Sequence, residues 1–245
     1  MTVPAANLRF SLVVPFYNEE ENVPLMLGEI AEVLLPHGPL EVLAINDGST
    51  DRSLARLREW KQQHTANWLR IVELVRNSGQ SAAVMAGVEL ARAPLIATLD
   101  GDMQNDPRDL LRMLARLESD AVDAVFGVRR KRQDNWRRRV SSRIGNGVRN
   151  WLTGDRVTDA ACGIKLIRRE YFLRAPRFVG MHRFMATLVR YLGGRTEEMD
   201  VNHRPRAAGV AKYGIGNRMW KGLRDCMAMR WLRTRMLLHK VKEEH

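Results

Sequence analysis

Asp100-Gly101-Asp102-Met103-Gln104 is the stretch whose residue types and spacing are best suited to chemistry. It follows an apolar run directly, and its three oxygen-bearing side chains fall at alternate positions, which in an extended segment share one side. Carboxylate and amide oxygens are hard ligands suited to Mg2+ or Mn2+, ions that keep coordination sites open for water and substrate phosphates. An ion held there would stabilise negative charge building on a departing diphosphate. Alone, an Asp-x-Asp is more often a turn or a solvated pair. Its place after a strand, with Gln104 added, singles this one out.

The elements that must position these residues come from apolar periodicity. Short β-branched or Leu-rich runs predict strands over 10–14, 41–45, 70–75, 95–99 and 124–126. Apolar spacing of three and four predicts helices over 20–35, 51–64, 81–91 and 107–117. The last has a start signal, with Asp106 as cap and Pro107 in the first turn. This alternation predicts an α/β, doubly wound, mostly parallel sheet with helices on both faces. Ligands bind such sheets beyond the carboxyl ends of the strands. The segments expected there, 15–19, 46–51, 77–80, 100–106 and 127–132, hold most of the clustered polar residues of the first half. No glycine-rich dinucleotide fingerprint or Walker-type loop follows the first strand, which argues against a nicotinamide enzyme or a P-loop ATPase.

The net charge of +12 is concentrated in two places. Segments 129–149 and 203–242 carry nine and eleven Arg or Lys against one acid each, so the remainder is net acidic. Patches of that density suit a polyanion: a nucleic acid, an anionic membrane face or a phosphorylated substrate. Solvated basic helices are the plainer alternative. Residues 1–7 do not read as a secretory signal, and no apolar run approaches the roughly 20 residues of a membrane span. A cytoplasmic protein that does not cross the bilayer is expected. Cys162 and Cys226 match neither a zinc pattern nor a disulfide framework and are expected to be reduced.

Four ordered motifs make a resemblance specific. Val13-Val14-Pro15-Phe16-Tyr17-Asn18-Glu19-Glu20, Ile45-Asn46-Asp47-Gly48-Ser49-Thr50-Asp51, Arg76-Asn77-Ser78-Gly79-Gln80 and Asp100-Gly101-Asp102-Met103-Gln104 resemble the motifs of glycosyltransferase family 2, which has the GT-A fold. Gly127-Val128-Arg129, 159–165 and 202–213 are similar to the dolichyl- or polyprenyl-phosphate sugar synthases of that family. The resemblance covers roughly residues 9–235. It implies a catalytic unit over 1–215, with a nucleotide-sugar half over about 9–128 and an acceptor half over about 129–215, followed by a tail over 216–245.

Carried over by position, the resemblance implies that Pro15, Tyr17, Glu19, Asn46 and Asp47 line the nucleotide pocket. Tyr17 offers an aromatic surface to a base, and Glu19 and Asp47 offer acceptors to hydroxyl or N–H groups. Many relatives have Asp at position 46, so Asn46 leaves the choice of base open. The resemblance further implies that the Asp100-Gly101-Asp102 segment meets the donor, and that Asp100, Asp102 and Gln104 bind the metal. Asp102 and Arg129 are the residues expected at the reaction itself, Arg129 facing the donor or acceptor phosphate. Arg206 and Lys212 match a basic pair that contacts phosphates, while Arg138 and Ser142 look like the residues that meet the acceptor phosphate. A guanidinium fork suits phosphate oxygens, although each arginine could equally be solvent-exposed.

The implied activity moves a sugar from a UDP- or GDP-linked donor to a polyprenyl phosphate with inversion, using Mg2+ or Mn2+. A phosphate acceptor is already anionic and needs no general base. Late carboxylates are few, and Asp159 reads as support for the acceptor loop rather than as a base. Cys162 reads as a small packed residue. Along 219–241, helical spacing gathers Met219, Trp220, Leu223, Cys226, Met227, Trp231, Leu237, Leu238 and Val241 on one broad face, with Lys221, Arg224, Arg235, His239 and Lys242 on a flank. Such a basic amphipathic C-terminal helix suits the headgroup layer of an anionic membrane, or packs on the domain. Similar synthases often end in transmembrane helices, so peripheral attachment or a separate membrane protein is expected here. Two other functions compete: a family 2 enzyme with a saccharide hydroxyl acceptor, and a basic nucleic-acid-binding protein. For the latter the chain lacks interleaved aromatics and any DNA-reading motif, so no nucleic-acid partner is expected.

Overall fold

The computed structural model describes residues 7–119, 122–129, 136–205 and 218–237, with side chains left undescribed at 136–144 and 218–221. Strand β1 (Phe10–Phe16) is apolar almost throughout, as suits a strand covered on both faces. It pairs in parallel with β2 (Leu40–Asn46) on one side and β4 (Leu95–Thr98) on the other, and β2 pairs in parallel with β3 (Leu69–Glu73). The register, Phe10 opposite Leu40 through Phe16 opposite Asn46, brings the carboxyl ends of β1 and β2 level.

The second half of the chain completes the same sheet. Strand β5 (Ala124–Val128) is separated from β4 by β6 (Lys165–Arg168), which runs antiparallel to both, and β7 (Thr196–Asp200) pairs in parallel with β5. Among the described residues the order is β3-β2-β1-β4-β6-β5-β7, a mostly parallel seven-stranded sheet. Strand β6, from beyond residue 128, thus inserts between β4 and β5. Sequence periodicity placed the first five strands within a few residues of their positions but marked neither β6 nor β7. Four-residue β6 is too short for a periodic signal, and β7 is a half-exposed Thr-Glu-Glu-Met-Asp run.

Helices α1 (Asn22–Leu34), α2 (Ser53–Gln63), α3 (Gln80–Leu90) and α4 (Arg108–Glu118) follow β1 to β4 in turn. Alternate residues of β1 serve different cores: Leu12, Val14 and Phe16 join Met26, Ile30 and Met113, while Val13 joins Ala83, Val84 and Val88. Helices thus cover both faces. Helix α4 begins one residue later than expected, at Arg108 with Pro107 in the cap position, and Asp106 Oδ1 accepts the Arg108 N–H at 3.0 Å. The remaining helices are α5 (Trp136–Thr153), α6 (Arg169–Arg174), α7 (Met185–Tyr191) and α8 (Arg218–Arg235).

The described part of the tail corrects the single broad face expected of it. Helix α8 packs beside α5 and buries Cys226 and Met229, with Leu232 and Met236 against the second core. Met227, Trp231 and Leu237, expected on that same face, are exposed. The apolar residues therefore form two stripes, one packed and one outward, because Met227 and Trp231 repeat at four residues about opposite to the Cys226–Met229 line. Both cysteines are free and buried. Among the described residues no helix is long and apolar enough to cross a membrane.

Candidate active site

The carboxyl ends of β1, β2 and β4 open into a cavity of about 180 Å³ lined by Pro15, Phe16, Tyr17, Glu19, Asp47, Asn77, Gln80, Asp100, Gly101 and Asp102. It lies at the end of the sheet where the parallel-sheet rule places ligands. Gly101 makes the close packing of its floor possible. A β-carbon there would fall 2.8 Å from the Pro15 carbonyl oxygen and 2.7 Å from the Phe16 ring.

Of the residues expected in the nucleotide pocket, Pro15, Tyr17, Glu19 and Asp47 line this cavity, whereas Asn46 does not. Asn46 is buried as the last residue of β2, and its Oδ1 accepts the Ser49 N–H at 3.4 Å, so its amide shapes the following turn. Asp47 is also turned partly to structure. Its carboxylate accepts the N–H groups of Ser78 and Gly79 at 2.7 and 2.9 Å, tying the loop before α3 to the end of β2. Glu19 accepts a hydrogen bond from Asn22 Nδ2 at 2.5 Å, which fixes its position at the start of α1.

Asp100 sits at the cavity floor between chemically distinct neighbours. Gln80 Nε2 donates to its Oδ1 at 2.6 Å. Gly163 packs against it so closely that an added β-carbon would lie 2.2 Å from Oδ2. Burial pushes the Asp100 carboxyl above its ordinary range; the nearby Lys165 ammonium opposes this and the Asp102 carboxylate adds to it. Lys165, carried by β6, is itself buried and pushed below the ordinary lysine range by that burial. Its Nζ donates to the Cys162 carbonyl at 2.5 Å, and Thr98 Oγ1 donates to the Gly163 carbonyl at 2.6 Å, so the 162–163 turn is held from both sides. Asp102 Oδ1 accepts the Gln104 N–H at 3.2 Å. Gln104 does not line the cavity, and its carbonyl accepts the Arg204 N–H at 3.0 Å.

Two neighbouring carboxylates at the floor of an open cavity fit a hard divalent ion that also takes phosphate oxygens. Among the described residues no group of three His, Cys, Asp or Glu side chains converges as a self-sufficient cage. The donor set therefore suits an ion completed by substrate and water rather than a closed structural site.

Arg129, at the end of β5, is gripped by Asp159 through hydrogen bonds of 2.7 Å from Nε and 2.9 Å from Nη2. Burial works against its charge, and the Asp159 carboxylate more than offsets that. Arg129 is not among the residues lining the large cavity. Arg138 and Ser142 fall on α5 at positions whose side chains are not described, and Arg206 and Lys212 lie outside the described residues.

Three residues around Asp100 went unassigned in the sequence. Gln80 and Lys165 stood in quoted motifs without a role. His182 lines two narrow clefts with Lys165, one reaching Gln80 and Asp100, the other Asp159 and Cys162. Its Nδ1 lies 2.6 Å from Ser81 Oγ, which also accepts the Gly180 N–H at 3.0 Å. Burial pushes His182 down to about 3, so the imidazole is neutral near pH 7 and shares one proton with the serine hydroxyl in a sense set by its tautomer. No spacing rule links Ser81 to His182; only the fold does.

A mostly parallel sheet with an Asp-x-Asp at its carboxyl edge and a polar cavity above is the arrangement of the GT-A glycosyltransferases. Residues 11–174 match the model of glycosyl transferase family 2, and the chain belongs to that family. It is 37% identical over 231 residues to a dodecaprenyl-phosphate galacturonate synthase of Rhizobium johnstonii, covering 92% of this chain and 68% of that protein. It is 34% identical over 206 residues to an undecaprenyl-phosphate 4-deoxy-4-formamido-L-arabinose transferase of Aeromonas hydrophila, covering 84% of this chain and 63% of that protein. The chain thus spans about two thirds of the length of these relatives. Among solved structures it resembles a mannosyltransferase from Pyrobaculum calidifontis in complex with GDP-Man and Mn2+, with TM-score 0.64, 19% identity and coverage of 93% and 74%. A glucosyl-3-phosphoglycerate synthase from Mycobacterium tuberculosis, in complex with Mn2+, UDP and phosphoglyceric acid, gives TM-score 0.64 at 18% identity, covering 96% and 81%. At those identities the likeness to the solved structures concerns the fold.

Proposed function

We propose that this family 2 enzyme transfers a sugar from a nucleotide diphosphate donor, UDP- or GDP-linked, to a polyprenyl phosphate. The observation that carries the reading is the cavity beyond β1, β2 and β4 with Asp100 and Asp102 at its floor, in a chain whose curated relatives are named for sugar transfer to dodecaprenyl and undecaprenyl phosphates. Asp100 and Asp102 would hold Mg2+ or Mn2+; Gln104, expected as a further ligand, stands outside the cavity lining. The ion, when bound, supplies positive charge to the leaving diphosphate.

The chain's own residues orient the reactants. Pro15, Tyr17, Glu19 and Asp47 seat the nucleotide, while Gln80 and Gly163 fix the Asp100 carboxylate. Asp159 holds Arg129 charged and in one orientation beside the acceptor side of the sheet. Arg206 and Lys212 are assigned to phosphates, and Arg138 and Ser142 to the acceptor phosphate. An acceptor phosphate oxygen forms the new bond to the anomeric carbon as the old sugar–phosphate bond breaks on the opposite face, so configuration inverts. The attacking group is already an anion, so the protein brings two anions together and offsets their repulsion. We assign the chain to the cytoplasmic face of the membrane as a peripheral protein.

A donor carrying a labelled sugar, incubated with polyprenyl phosphate and Mn2+, tests the reading. Label in the organic phase is the expected result. Label that passes to a soluble saccharide and never to lipid sinks it.

A further inference from the structure

Helices α5 and α8 lie side by side, and each presses one stripe on the body of the protein. In α5 the buried positions include Arg149 and Thr153; in α8 they include Cys226 and Met229. The residues left on the outer side are unusual for a solvated surface. Trp151 is 74% exposed and Trp231 61%, with Met227 and Val148 also exposed. The two helices meet across this side, since the Arg230 guanidinium lies 5.9 Å from the Trp151 ring centroid. Arg224, Arg230 and Arg235 are exposed and lie on the Trp231 side of α8 by helical position, while Arg233 reaches Gly154.

The charge of the two helices is one-sided. Together they carry eleven Arg or Lys and one acid, Asp225, whose Oδ2 accepts a 2.9 Å hydrogen bond from Arg183. Tryptophan and methionine among arginines, without carboxylates, is the composition that sits at the headgroup level of an anionic bilayer, indole and thioether in the acyl boundary and guanidinium groups on phosphates. A twofold contact between two copies through this face would instead set two basic surfaces against each other.

We propose that the joined outer faces of α5 and α8, centred on Trp151, Met227 and Trp231, are a docking surface for an anionic lipid bilayer. The inference rests on the lipid-phosphate reading for its biological purpose, but its test does not. Docking here would lay α5, which carries Arg138 and Ser142, against the layer where a lipid phosphate lies.

The test is co-sedimentation of the full chain with vesicles of mixed phosphatidylglycerol and phosphatidylcholine, compared with phosphatidylcholine alone. The chain should bind the anionic vesicles, bind the neutral ones weakly, and lose binding as salt is raised. Substituting Arg224→Gln and Arg235→Gln together should lower the partition coefficient about 25-fold, from roughly fivefold for each surface arginine. Trp151→Ser with Trp231→Ser should lower it at least about tenfold through lost burial of the rings. Both double variants should keep the circular dichroism and melting temperature of the unchanged chain, since the altered side chains are outward. Vesicle binding unchanged in both variants would overturn the proposal, as would a dimer of the unchanged chain that either variant dissociates. Transfer to detergent-dispersed polyprenyl phosphate, where no bilayer exists, should persist in both variants. Its absence from the unchanged chain counts against the acceptor reading and leaves the vesicle result to judge the docking surface.

Discussion

Asp100 and Asp102 stand two residues apart and repel each other, and burial raises the first of them further. A divalent ion relieves both penalties at once, which is why the pair is suited to binding one. Asp102→Asn should therefore cut divalent-dependent transfer by about 100-fold or more, several kcal/mol of transition-state stabilisation, with the fold intact by circular dichroism. Gly163→Ala probes the same carboxylate from behind. The added methyl would lie 2.2 Å from Oδ2; we expect lost metal activation and about 1–3 kcal/mol of stability, measured by chemical denaturation. His182 offers a pH signature. Its folded value of about 3 lies below the ordinary 6.5, so protons bind the unfolded chain more readily between those values. Stability should fall as pH drops through that window, by a few kcal/mol at most, and His182→Gln should flatten the profile. That Pro15, Tyr17, Glu19, Asp47, Asp100 and Asp102 share one cavity was expected from the resemblance, whose motifs lie at or just beyond strand ends. Gln80, Lys165 and His182 could not, because their contacts to Asp100 or Ser81 are made only when separate elements meet.

At the scale of elements, the sheet separates stability from chemistry. Near the amino ends of the strands, Glu41 on β2 is buried and accepts hydrogen bonds from Ser11 on β1, Arg70 on β3 and Arg92 ahead of β4. Burial disfavours its charge, yet these bonds lower its pKa overall. Its contribution is thus present above the ordinary carboxylate range and is lost as pH falls through the folded value. Six residue steps along the strand, roughly 20 Å, separate it from Asp47 at the cavity. Glu41→Ala should cost about 3 kcal/mol, the low end for a broken buried pair because Arg70 and Arg92 each keep about a third of their side chain in water. Donor binding by the folded variant should be unchanged in calorimetry. The first four β-α pairs were legible because long apolar strands and amphipathic helices repeat at distinct periods. Strand β6 was not, since its place between β4 and β5 is a matter of long-range pairing. Helix α8 was legible as a helix, but which apolar stripe faced inward depended on α5 beside it.

The molecule as a whole joins a cavity at the carboxyl edge of a mostly parallel sheet to a basic surface on α5 and α8. Ligand linkage reads the first part directly. A correct nucleotide sugar with Mn2+, at about 100 times its dissociation constant, adds about 2.7 kcal/mol to the folded state. For a domain of this size that is a rise of roughly 5–10 °C in Tm, which Asp102→Asn should largely abolish. The central claim is the acceptor, and one measurement reaches it most directly: partition of label between organic and aqueous phases after incubation of the chain with labelled nucleotide sugar, Mn2+ and polyprenyl phosphate in detergent. The account predicts acid-labile label in the organic phase that depends on both lipid phosphate and metal. Label confined to the aqueous phase, on an added saccharide with a free hydroxyl, would contradict it.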